Sequence, residues 1–257
     1  AVNTVRNLIA SLPSNNLEGA PITDALGMAS AAPLADHSDA RAVISAVADD
    51  NTFIELGIKF GEACVTGIAQ VAGSTVGFVS YTGVIDADSC AKAARFVRFC
   101  DCFAIPVVSL VDAKEFVSLR EATKLSNAYS EATTVKVTVI TGEAYGPVYI
   151  AVAGRGANAD ITMAWTGASV SPLSPAASAV FEWNDRLKGS ANPVEDRKKL
   201  IEEYKATEAS PFVAASKGFI EDVINPEETR AKVAANLEML AGKRVTRLPK
   251  KHANNQM

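Results

Sequence analysis

Apolar residues at Val2, Val5, Leu8, Ile9 and Leu12 share one helical face, and the spacing predicts a helix over 2–12. Pro13-Ser14-Asn15-Asn16 stops it. Residues 17–40 are rich in Pro, Ala, Gly and Asp with weak periodicity, the pattern of an arm lying on something larger. Ala40–Val47 reads as a short helix ended by Asp49-Asp50-Asn51. The pattern then changes. Phe53–Leu56, Val65–Val71 and Val76–Tyr81 are short apolar runs separated by glycines, as in a strand meander. Asp88 is placed to cap a helix running to about Cys102. Ile105–Val111 is solidly apolar, which suits a buried parallel strand ending at Asp112. A helix over 119–132, a strand over 135–141, a short helix over 147–153 and a strand over 161–165 follow. The remainder reads as helices over 176–187, 193–209, 212–217 and 227–241, with a short strand or turn over 219–224. This alternation indicates an α/β fold with crossover connections. The expected division is an arm over 1–40 and one α/β domain over 41–257.

Composition narrows the function classes. Hydrophobic residues make up 48% and aromatics only 7%, so an Ala- and Val-rich core needs close approach of helices to a sheet. Net charge is −4, against the basic surplus of a general nucleic-acid binder. No apolar stretch approaches the roughly 20 residues of a membrane span. The segment AVNTVRNLIASLPSNN lacks signal-peptide features, so a cytoplasmic protein is expected. Four cysteines do not make a disulfide framework at this length, and no Cys or His pair has metal-ligand spacing, so no metal is expected.

Several familiar motifs are missing. There is no P-loop, no G-x-G-x-x-G after a strand and no G-x-S-x-G elbow. The most suggestive stretch is Val137–Ile150, which reads as strand, tight loop and helix start. Gly146 permits an unusual backbone angle, and Pro147 fits the first helical position. The amides of Val148 and Tyr149 are then expected to point out of the helix N-terminus, where they would hold an oxyanion or a polarised carbonyl. Lys114-Glu115, just past the expected end of a strand, lies on the edge where α/β folds often bind ligands. The tail from Lys243 to His252 is a basic cluster suited to a phosphate- or carboxylate-bearing partner.

Ordered strings along the chain carry a family resemblance. They are Arg6–Asn16 with its LPSNN stop, Ala91–Asp101 (AKAARFVRFCD), Ile105–Asp112 (IPVVSLVD), Pro211–Ala215, Gly218–Ile224, Pro226–Arg230 and Pro249–His252. Together they resemble the C-terminal half of the carboxyltransferase subunit of biotin-dependent acyl-CoA carboxylases and decarboxylases, of the propionyl-CoA carboxylase β and sodium-pump decarboxylase type. The resemblance implies a crotonase-type ββα superhelix and a reaction without metal. In it a carboxyl group moves between biotin, held on a separate carrier protein, and an acyl-CoA. It also implies three kinds of partner: a subunit carrying the amino-terminal half, the biotin carrier protein, and further copies in a homo- or hetero-oligomer. Nucleic acid is not among them.

The implied biotin-side oxyanion hole is the family's Y-G-G-A-Y helix start, here Tyr145-Gly146-Pro147-Val148-Tyr149. Gly146, Val148 and Tyr149 are the catalytic candidates, and Ala113, Phe116, Ile150 and Leu173 the substrate-binding ones. Three departures stand out. Pro147 replaces a glycine and removes one amide donor, and losing such a donor typically costs about 2.7–4 kcal/mol. The Gly-rich loop after Asp112 is largely deleted, and Leu173-Ser174-Pro175-Ala176-Ala177-Ser178 replaces M-G-A-E-G-A. A non-catalytic scaffold or regulatory paralogue is therefore the alternative expectation. A further one is another crotonase-fold reaction using Glu115 or Glu143 as acid/base.

Overall fold

The computed structural model describes residues 2–15, 18–23, 39–155, 158–187 and 192–245. Most of the expected arm and the basic tail beyond residue 245 lie outside the described residues. Two helices come first, α1 (Val2–Ala10) and α2 (Ala40–Val47). The antiparallel strands β1 (Ile54–Leu56), β2 (Cys64–Val71) and β3 (Ser74–Ile85) follow, as the meander pattern predicts. Helix α3 (Ala87–Cys102) then crosses to β4 (Val107–Phe116), which lies parallel to β3. Helix α4 (Leu119–Glu131) leads to β5 (Lys136–Tyr145), parallel to β4.

The short helix α5 (Gly146–Val148) continues as a π turn over Tyr149–Ala153. Next come β6 (Ile161–Trp165), β7 (Ser169–Ser171), α6 (Pro175–Phe181), α7 (Pro193–Ala206), α8 (Pro211–Ser216), β8 (Asp222–Ile224) and α9 (Thr229–Leu240). The strands form one sheet in the order β1-β2-β3-β4-β5-β6-β8, with β7 also on β5.

The small-residue core behaves as its composition requires. An ideal Cβ at Gly77 on β3 would fall 2.5 Å from Cys100 Sγ on α3. Cys90, Ala93, Ala94 and Val97 on the same helix are also buried, with Phe96 beside them 3.1 Å from that Cβ position. An approach this close lets small side chains fill the space between helix and sheet. Larger side chains, among them Phe78, Leu110, Leu125, Ile140 and Met163, are buried around the central strands.

A buried carboxylate ties the β2–β3 hairpin down. Its turn places Ala72 at φ 50° and Gly73 at φ 78°. The Asp49 carboxylate accepts the amides of Ala72 at 3.2 Å and Gly73 at 2.8 Å. From α9, Arg230 Nη2 reaches Asp49 Oδ1 at 2.5 Å. Its Nη1 donates to the carbonyls of Val47 at 2.9 Å and Ala48 at 2.7 Å, where α2 ends.

Several local expectations are corrected. Asp86, not Asp88, caps α3, its carboxylate accepting the Ser89 amide at 2.7 Å. Asp88 lies in the first turn, where an acidic residue also suits the helix dipole. The expected loop after Asp112 is strand, since β4 runs on to Phe116 beside Gly83–Ile85. The expected tight loop at 142–145 is strand as well, because β5 runs straight into Gly146. The helix expected over 176–187 ends at Phe181 and resumes as one 3-10 turn over Asn184–Leu187. Strand β7 was not expected.

Candidate active site

Strand β5 changes neighbours midway, and that change builds the site. Its first part, Val137–Ile140, pairs with β6, and its last part, Glu143–Tyr145, pairs with β7. On the other side the register shifts: Val111 faces Ile140, but Ala113 already faces Ala144. Asp112 turns its carboxylate into the extra chain length, and Glu143 N–H donates to its Oδ1 at 2.8 Å.

Gly146 follows at φ +32°. A Cβ there would collide with the carbonyl oxygen of Pro172, so only glycine permits this approach to the segment after β7. Pro147 takes the first turn, where a missing N–H breaks no helical bond.

A cavity of about 290 Å³ opens beside this helix start. Its walls are Gly146, Tyr149 and Ile150 from the helix, Val170 and Pro172 from the β7 segment, and Phe219 beyond α8. Lys217 and Glu208 also line it and face each other at 3.8 Å, both exposed. Tyr149 closes one side. Its hydroxyl donates to the Phe219 carbonyl at 2.5 Å, and its ring meets the Phe219 ring edge-on at 6.4 Å between centroids. Burial pushes the Tyr149 phenol above its ordinary pKa, so it holds its proton through the neutral range. Arg155 braces the same strand-side segment. It donates to the Gly218 carbonyl at 3.1 Å and pairs with Glu221.

The structure separates the sequence-derived candidates. Gly146, Tyr149 and Ile150 come together on the cavity wall. Leu173 is half-exposed next to the lining residue Pro172. Val148 is fully buried, its side chain part of the core rather than of the cavity mouth. The Tyr149 amide turns back onto Gly146 O, so it is not free to face a ligand. Ala113 and Phe116 are buried in β4 and are not among the cavity-lining residues, because the segment expected to be a loop is paired strand.

Glu143 is held by neighbours. Tyr145 Oη donates to its Oε1 at 2.8 Å, Lys114 Nζ lies 3.2 Å from Oε2, and Lys205 Nζ lies 3.9 Å from Oε1. Burial, together with that acceptor carboxylate, raises the Tyr145 pKa. Glu115 is exposed on the neighbouring strand β4 and outside the cavity. Among the described residues no group of three or more His, Cys, Asp or Glu is gathered to hold a metal, and no helix is long and apolar enough to cross a membrane.

Sequence reasoning missed the side chains beneath the π turn. Thr138 Oγ1 donates to Val152 O at 3.2 Å, and Thr162 Oγ1 to Ala153 O at 2.8 Å. Asn158 does the same one step earlier. The only sequence signal was a pair of polar residues inside otherwise apolar strands.

Comparison with known proteins gives a consistent result. Residues 1–255 match the carboxyl transferase domain. The chain is 34% identical over 278 residues to the propionyl-CoA carboxylase carboxyltransferase subunit of Haloferax mediterranei, covering 99% of this chain and 54% of that protein. It is 35% identical over 272 residues to the methylmalonyl-CoA carboxyltransferase 12S subunit of Propionibacterium freudenreichii subsp. shermanii, covering 97% and 52%.

Among solved structures, transcarboxylase 12S with methylmalonyl-coenzyme A and methylmalonic acid bound, described as a hexamer, superposes with a TM-score of 0.86. The identity is 33%, over 99% of this chain and 54% of the other. The geranyl-CoA carboxylase beta subunit of P. aeruginosa shares the fold at a TM-score of 0.70 and 21% identity, over 93% and 56%. The fold is thus the crotonase-type α/β arrangement. The chain spans about half the length of the curated relatives it matches.

Proposed function

The chain belongs to the carboxyl transferase domain family, and on that premise we propose that it is the C-terminal half of a biotin-dependent acyl-CoA carboxyltransferase. A companion polypeptide would supply the amino-terminal half and a carrier protein would supply biotin. The single observation that carries this reading is the helix start at Gly146, opening on an apolar cavity of about 290 Å³. The cavity residues fit biotin's uncharged fused rings: Val170, Pro172, Val213, Ile150 and Phe219 offer apolar walls, and glycine lets the backbone come close. Bound there, biotin would supply the nitrogen that carries the carboxyl group in transit.

The chain's own part is binding and orientation. Gly146 presents backbone to the cavity at the positive end of a short helical segment, where a carbonyl oxygen gaining negative charge is favoured. Tyr149, bonded to the Phe219 carbonyl and packed on its ring, closes one side and limits water. The division into an N-terminal linker helix and arm (1–40) and a crotonase-like carboxyltransferase C-domain (41–257) forms part of the same proposal, as do assembly with further copies and a cytoplasmic site of action.

The test is carboxyl transfer between methylmalonyl-CoA and free biotin, using the purified chain with an amino-terminal-half subunit. Turnover well above that subunit alone is the expected result. An assembled complex with no turnover would overturn the catalytic reading in favour of a scaffold.

A further inference from the structure

The π turn at Tyr149–Ala153 leaves carbonyls that an α-helix would have used. In α geometry Ile150 O would accept from Gly154 N and Ala151 O from Arg155 N. The chain instead departs at Gly154 with φ −60° and ψ 115°. Both carbonyls are taken by one side chain. Asn158 Nδ2 donates to Ile150 O at 2.7 Å and to Ala151 O at 2.6 Å. Ser126 Oγ on α4 lies 3.0 Å from the same nitrogen. Asn158 is 3% exposed, and its own amide returns to Gly154 O at 3.0 Å. The side chain therefore occupies the acceptors that would otherwise let the segment rewind as α-helix. Rewinding would rotate Tyr149 and Ile150 relative to Gly146 and change the cavity wall they form.

We infer that Asn158 is the positioning residue of the ligand cavity: it fixes the π turn so that Gly146, Tyr149 and Ile150 present one wall together. This rests on the reading of that cavity as the biotin site. Asn158 itself touches no ligand; it acts through the backbone of Ile150 and Ala151.

The test uses the whole chain, 15N-labelled, titrated with biocytin and followed by the amide signals of Gly146, Tyr149 and Ile150. Asn158→Asp keeps the size and removes the donors. Asn158→Ser keeps one donor and serves as the milder variant should the first fail to fold. The expected result is saturable biocytin binding by the unaltered chain, weakened about tenfold or more in folded Asn158→Asp and less in Asn158→Ser. Affinity is read on folded molecules, so a purely stabilising role would lower the melting temperature and leave it unchanged. Binding within twofold of the unaltered chain in a folded variant would overturn the inference. If the unaltered chain shows no response to biocytin, the biotin reading fails separately. The free protein still decides the positioning claim, because Tyr149 and Ile150 amide signals that stay in place in the folded variant would overturn it.

Discussion

Asp112 and Gly142 share one space: the Asp112 carboxylate lies where a Cβ on Gly142 would have to go. The same carboxylate accepts Glu143 N–H at 2.8 Å, so a bare backbone and an anion together make the irregular crossing of β4 and β5. Gly142→Ala is expected to lower stability by about 1–3 kcal/mol through overpacking. Asp112→Ala is expected to lower it by about 1–3 kcal/mol, because the Glu143 amide loses its acceptor. In the double variant the alanine methyl fills the vacated space, so the loss should be smaller than the sum. Urea unfolding of the four proteins in this cycle checks it; strict additivity would show that the two positions do not interact.

The missing amide at Pro147 gives a gain-of-function test. Pro147→Gly returns an N–H to the first turn. A single such donor typically carries about 10²–10³ in rate. Carboxyl transfer with the assembled complex is therefore expected to rise, by up to about 10²-fold. An unchanged or lower rate would show that the proline position does not face the reacting carbonyl.

Two arginine–carboxylate pairs with similar geometry should differ sharply in cost. Arg230 serves an Asp49 side chain that is 0% exposed, whereas Arg41, itself 51% exposed, pairs with Glu55 near the surface. Arg230→Ala leaves a buried charge without its cation and is expected to cost about 3–5 kcal/mol. Arg41→Ala is expected to cost less than about 1 kcal/mol. Denaturant midpoints of the two variants measure the contrast, and equal shifts would contradict the burial argument.

The thiols predict a pH effect. Cys64, Cys90 and Cys100 are buried and Cys102 is exposed. Burial pushes the Cys90 thiol up to about 12 and raises Cys64 and Cys100 further. One thiol should therefore react with Ellman's reagent in the native protein, and all four after unfolding. These folded pKa values lie above the unfolded value of about 8.5. The native state thus keeps protons that the unfolded chain gives up. Their contribution to stability is full below about pH 8.5 and is lost as pH rises toward the folded values. A serine at each buried position should flatten the alkaline side of the stability curve; an unaltered slope would argue against the effect.

The layers of the fold were legible because period carries them: the apolar runs at Val65–Val71, Ile105–Val111 and Val135–Ile140 have one reading only. The ends of β4 and β5 were not legible. Asp112-Ala113-Lys114-Glu115 and Thr141-Gly142-Glu143 are polar and glycine-bearing, which by local rules is loop. They are strand because Asp112 bonds across to Glu143 and Lys114 faces Glu143, contacts 29 to 31 positions apart that no local pattern displays. The same limit applied to the site. Gly146 and Pro147 announced a helix start, but the direction of the Tyr149 amide and the burial of Val148 depend on the π turn. That turn is held by Asn158, Thr138 and Thr162 from other elements.

The Asp49–Arg230 bond joins residues 181 positions apart and so orders events on the ribosome. At about 5–20 residues per second, roughly 10–40 s separate the synthesis of the carboxylate from that of its cation. Through most of that interval α2 and the β2–β3 hairpin are already made, yet the clasp between them and α9 does not exist. Any nascent chain ending before residue 230 carries a carboxylate destined for burial with no counter-ion, so this corner of the sheet stays open until α9 begins to be made. Premature termination anywhere between β3 and Arg230 would release a product whose Asp49 corner lacks its clasp.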